Sequence, residues 1–180
     1  MQLTIEKEVL TTTCTLIADP RLKATQADFD AQQAMLSKID ASVKDIHGSV
    51  NRMRKVKSQI ENLTALLKNN KESADLVENG KEVLKKISTW EEQLITPKQE
   101  TFQDVINFYN RLNAELMDLK SRVDVHDPRL TAGAQTRMTD LMEEWTTHKT
   151  ALEKLITVDV AKFNDMYKQK ALPALIVPDR

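Results

Sequence analysis

Apolar residues follow a helical stripe along most of this chain. From about Ala24 to Asn69 the stripe is Leu36, Ile39, Val43, Ile46, Val50, Met53, Val56, Ile60, Leu63 and Leu67. The steps alternate three and four, the spacing of a heptad seam. Between Met53 and Val56 a second step of three stands where a four is due. Such a stammer overwinds a helix locally or turns its buried face. No Pro interrupts the run, so it predicts one helix about 65 to 70 Å long at 1.5 Å per residue. Gly48 is its weak point, because glycine costs about 1 kcal/mol relative to alanine inside a helix.

Asn69, Asn70 and Lys71 predict a turn, with Ser73 as N-cap of a second helix. Leu76, Val83, Leu84, Ile87, Trp90, Leu94 and Ile95 carry its stripe, Gly80 lies on the same face, and Pro97 stops it. A third helix holds Val105, Ile106, Tyr109, Leu112, Leu116, Leu119 and Val123, with a start anywhere from Phe102 to Tyr109. After a break at Asp124 to Arg129, a fourth runs from Pro128 or Thr131 to Lys170. It turns Met138, Leu141, Trp145, His148, Leu152, Leu155, Val160, Phe163 and Tyr167 inward. Long, short, short and long helices on brief turns predict an all-α antiparallel helical bundle, in which the two shorter helices together cover the length of a long one. Leu36, Ile39, Val43, Trp90, Leu112, Leu116, Trp145 and Leu152 are the expected core.

The ends read differently. Residues 1–18 alternate Leu3 and Ile5 with polar positions and continue into a largely β-branched run, predicting one or two short strands. Two strands bury too little to stand alone, so they must pack on the helices or on something outside this chain. Residues 19–180 form the bundle, with 171–177 as an extended apolar tail braked by Pro173 and Pro178. Asp19-Pro20-Arg21-Leu22 returns as Asp127-Pro128-Arg129-Leu130, each time ahead of a long helix. The repeat is either an internal duplication or two separate ways of starting a helix, Asp capping and Pro fitting a first turn.

Composition supports this picture. Only 3 Gly and 5 Pro punctuate 180 residues, which argues against a many-stranded fold. The balance of 26 basic and 27 acidic residues removes the usual charge footprint of a nucleic-acid binder. No apolar run is long enough to span a bilayer, and the N-terminus lacks a signal-peptide pattern.

Candidate chemistry is sparse. Glu144 and His148, four apart on one face, are the nearest approach to a metal-carboxylate motif of helical bundles, against a partly buried, hydrogen-bonded histidine. Asp124, His126 and Asp127 gather three potential ligands, or simply serve a turn. Glu91-Glu92 and Glu143-Glu144 are acid pairs, but adjacent helical residues point about 100° apart, whereas glycosidase carboxylates face each other. Arg52, Arg54, Lys55 and Lys57 form the densest basic run, and Cys14 has no basic neighbour to activate it. No catalytic, cofactor-binding or metal-ligating residue is assigned, and no cofactor is expected.

Asp19-Pro20-Arg21 followed by Thr25-Gln26-Ala27-Asp28 and a long helix with Val50-Asn51-Arg52 resembles the region just after the propeller in bacterial sortilin-like proteins with BNR repeats, often labelled glycosyl hydrolases. Further similar stretches are Asn107-Phe108-Tyr109-Asn110-Arg111-Leu112-Asn113, Phe163-Asn164 and Leu172-Pro173-Ala174. Members often carry Pro near the position of Tyr109; its absence leaves room for an earlier start of the third helix. The resemblance implies that residues 1–18 end a β-rich segment and that the rest is the C-terminal helical module of a larger exported protein, periplasmic or extracellular. Its partner would be the propeller of the same protein, or another protein. The hydrolase label belongs to parts absent from this chain, including any Ser-x-Asp-x-Gly-x-Thr-Trp box, so no catalytic residue carries over. The resulting expectation is a noncatalytic interaction module. Its rivals are part of a glycoside-hydrolase-type enzyme and an adaptor that homodimerises along the seam of residues 36–67.

Overall fold

In the computed structural model, residues 2–5, 8–15 and 17–172 are described. The bundle is all-α. Helix α1 (Gln26–Leu67) is 42 residues long, α2 is Ala74–Leu94 and α3 is Leu112–Val123. Helix α4 (Ala132–Lys154) passes through a π-helical stretch, Leu155–Val160, into α5 (Ala161–Gln169) as one rod. Strands β1 (Gln2–Ile5) and β2 (Glu8–Thr11) form an antiparallel pair with Leu3 opposite Leu10 and Thr4 opposite Val9.

Side-chain pairings fix the helix directions. Arg54 meets Glu91 and Lys57 meets Ser88, so α1 and α2 are antiparallel. Gln32 reaches Val123 and Asp40 reaches Lys120, so α3 is also antiparallel to α1. Ser42 meets Met142 and Asp45 meets Trp145, so α4 runs parallel to α1. Two long rods therefore lie side by side, and α2 and α3 follow one another along them as a split third rod.

This arrangement explains the stammer. Ile39, Ile46, Met53, Ile60 and Leu67, seven apart, are all buried. The flanking inward positions, Leu36, Val43 and Val50 in the first half, become Val56 and Leu63 in the second, where Lys57 and Thr64 hold the old register. The buried face turns by one position just where α1 exchanges α3 for α2. Along the seam of residues 36–67, Ile39, Ile46, Val50, Met53, Ile60 and Leu67 are buried within the chain, and Leu36, Val43, Val56 and Leu63 are partly buried.

The five-residue step between the inward positions Leu155 and Val160 also has a structural basis. Eight ordinary helical steps would leave Leu155 and Phe163 about 80° apart on the rod. The wide turn of Leu155–Val160 rotates less per residue and returns Phe163 to the face of Leu155, so both are buried.

Several expectations need correction. The third helix begins at Leu112, later than the expected range, because α2 and α3 meet midway along α1 and residues 95–111 loop outward between them. That excursion contains only a 3-10 turn, Phe102–Ile106. Ile106 and Tyr109 are accordingly 86% and 90% exposed rather than core, while the Val105 side chain lies outside the described residues. Ser73 is buried and makes no capping hydrogen bond; Asn70 accepts from the Glu72 N–H at 2.9 Å and caps the preceding 3-10 turn, Lys71–Ser73. The long helices are capped by Thr25, in a capping box with Asp28, and by Thr131, not by the Asp-Pro pairs. Of the expected core, Leu36 and Val43 are only partly buried. The tail from Pro173 lies outside the described residues, and Ala171 ends the last helix in the left-handed region at φ 48°.

Gly48 faces open space, and a Cβ there would meet nothing within 4 Å. Gly48→Ala should stabilise the fold by about 1 kcal/mol in urea denaturation, by helix propensity alone.

Candidate functional site

The ionisable groups noted in the sequence are engaged in holding helices together or face solvent. Glu91 is buried and accepts from Arg54 Nε at 2.7 Å, bridging α1 and α2, while Glu92, Glu143 and Glu144 are exposed. The acid pairs thus diverge, as helical geometry requires. Lys57 donates to Ser88 Oγ at 3.0 Å, and Arg52 and Lys55 stay in solvent, so the basic run splits between two faces. Cys14 is an exposed free thiol.

Asp124, His126 and Asp127 do not converge, and no trio of His, Cys, Asp or Glu among the described residues is placed to hold a metal ion. Asp127 instead clamps its own turn. It accepts from the Arg129 backbone N–H at 3.2 Å and Nε at 2.9 Å, as Asp19 does from Arg21 at 2.9 and 3.0 Å. The repeated tetrapeptide is therefore the same local device used twice, an Asp that fixes a Pro-containing turn through the following Arg.

The Arg129 guanidinium lowers the Asp127 pKa to about 2. Arg21 likewise lowers that of Asp19, and the Thr25 backbone lowers that of Asp28. Each carboxyl binds protons less readily folded than unfolded, so its contribution is complete above the unfolded value near 4 and fades as pH falls through the folded value. Stability should drop between about pH 4 and pH 2. Arg129→Gln should shallow that drop in acid titrations followed by circular dichroism, with a smaller difference at high salt because the pair is exposed.

Two surface features remain. One is a groove of about 770 Å³ between α2 and the α4–α5 rod. Two contacts pin its walls together. The Trp90 indole N–H donates to the His148 carbonyl oxygen at 3.0 Å, and Lys86 Nζ lies 2.5 Å from Asp159 Oδ1. Between them Ala151 is too small to fill the space, leaving a floor of Trp90, Ala151 and Leu155. His148, expected in the seam, is half-buried on the groove wall, its Nε2 3.7 Å from Glu144 Oε1.

The other feature lies outside the bundle. Among the described residues, the β1–β2 pair forms no extended seam with any helix. Val9 and Leu10 are each 51% exposed and Ile17 is 87% exposed, while Ile106 and Tyr109 project from the 95–111 excursion. The helix periodicity gave no sign of this, because it assigned Ile106 and Tyr109 to a stripe. No helix among the described residues is long and apolar enough to cross a membrane. In comparisons with protein families, curated proteins and solved structures, nothing matches this chain.

Proposed function

We propose that this chain is a noncatalytic interaction module, the C-terminal helical part of a larger exported, propeller-bearing protein of the sortilin-like kind. Its N-terminal strands and the 95–111 excursion dock against the propeller portion. One observation carries the reading: the three large apolar side chains exposed by more than four-fifths among the described residues, Ile17, Ile106 and Tyr109, all lie off the bundle. These side chains are surface that a partner would cover, and a bare two-stranded pair is marginal until something adds to it.

The bundle's own chemistry fits a scaffold. Its interior is filled by aliphatic and aromatic side chains, and the buried carboxylate, Glu91, is held by Arg54.

The test is a titration of this chain against the separately produced propeller followed by calorimetry. The expected result is one-to-one binding, weakened at least tenfold by Ile17→Ser with Tyr109→Ser, a loss of about 1.4 kcal/mol. No binding, or binding indifferent to both substitutions, rejects the docking role. Hydrolysis of any member of a broad glycoside panel above the uncatalysed rate rejects the noncatalytic one.

A further inference from the structure

The groove between α2 and α4 is independent of that docking role. Its lining from Glu82 to Gln93 runs about 16 Å along α2. Trp90 is 5% exposed and its N–H is engaged by the His148 carbonyl, so the narrow strip of indole that meets the groove is ring carbon. Ala151, Leu155 and the methylene stems of the lysines extend this apolar surface.

The charges around it are unbalanced. From α2 come Glu82, Lys85 and Lys86, from α4 His148 and Lys154, and from the π-helical stretch Asp159. Lys86 is neutralised by Asp159 at 2.5 Å, with Glu82 beside it. Lys85 and Lys154, on opposite walls, are exposed and have no acidic partner within ion-pair distance among the described residues. Three ammonium groups against two carboxylates leave a net positive charge over the trough, with Lys85 and Lys154 outside any ion pair, and this favours an occupant that is negative at a headgroup and apolar along its length. A bare inorganic anion would leave the trough wet, and a neutral hydrocarbon would leave the lysines unanswered. The volume falls in the range of small-molecule sites, about 300 to 1,000 Å³.

We propose that this groove binds a free elongated amphiphilic anion, a single carboxylate on an alkyl body, with Lys85 and Lys154 receiving the headgroup and Trp90, Ala151 and Leu155 the chain. Decanoate, kept below micelle formation, is the probe. Calorimetry of the full chain should give saturable one-to-one binding, with a change in Trp90 emission that persists in a Trp145→Phe background.

Lys85→Gln with Lys154→Gln should weaken binding about tenfold or more, as expected for losing two charge-assisted contacts. Both are exposed, so an unchanged unfolding midpoint will show that the fold is intact. Ala151→Trp should fill the trough and abolish binding. Decyltrimethylammonium, with the same chain and opposite charge, should bind at least tenfold more weakly than decanoate. Lack of saturation, equal binding of the cationic amphiphile, indifference to the lysine pair, or association with anionic phospholipid vesicles in preference to decanoate would each overturn the proposal.

Discussion

Gly80→Val is expected to lower the unfolding free energy by about 3 kcal/mol, the upper part of the range for overpacking a closed interior. Gly80 lies where α1, α2 and α5 cross. A Cβ there would stand 2.5 Å from Thr64 Cγ2, 3.1 Å from Phe163 Cε2 and 3.3 Å from Ile60 Cγ2. Thr64 has little freedom to yield, because its hydroxyl donates to the Ile60 carbonyl oxygen at 2.8 Å and fixes the rotamer. Even Gly80→Ala should destabilise, since the clash outweighs the gain of about 1 kcal/mol in helix propensity. Gly48→Ala, with open space around it, should move stability the other way. Urea unfolding of the two alanine variants, side by side, checks both signs. A stabilised Gly80→Ala would mean that the three helices do not meet this closely.

Trp145→Ala should cost about 4 kcal/mol, within the range for truncating a buried aromatic. Trp145 is 4% exposed and packs in the half of the bundle built from α1, α3 and α4. Its indole N–H donates to Asp45 Oδ2 at 3.2 Å, and Lys149 both pairs with Asp45 at 2.8 Å and sits 5.5 Å from the ring centroid. Removing the ring creates a cavity and strips the Asp45–Lys149 pair of its platform. Trp145→Phe keeps most of the apolar volume and should cost about 1 kcal/mol, the size of one hydrogen bond. Equal losses for the two variants in denaturant titrations would contradict this division between packing and polar contact.

The rods were legible because helix period and burial agree over long windows. Ile39 to Leu67, Leu76 to Leu94 and Met138 to Phe163 lie inward much as their spacing predicts. The stammer at Met53 was readable too, although its cause, a change of partner helix, is a tertiary fact. The outward loop was not readable. Ile106 and Tyr109 continue the three-and-four spacing into Leu112, and nothing local separates a stripe that is buried from one that is not. The π-helical turn was signalled by the step of five from Leu155 to Val160, a spacing that an ordinary helix cannot place on one face. The capping role of Asp19 and Asp127 was misplaced because Asp-Pro serves a turn as well as a helix start, and Thr25 and Thr131 sit a few residues later. The groove at Trp90 depends on Ala151 facing it from a helix 61 positions away in sequence. No local pattern carries that information.

The helices complete their own core, and the N-terminal strands stand off it with Val9 and Leu10 exposed. Urea unfolding of the full chain carrying Val9→Ser and Leu10→Ser, monitored by helical circular dichroism, tests this most directly. The prediction is a midpoint and slope unchanged from the parent, within about 0.5 kcal/mol, as for substitutions at the surface. A loss of about 2 kcal/mol or more would place these side chains in the chain's own packed interior and contradict it.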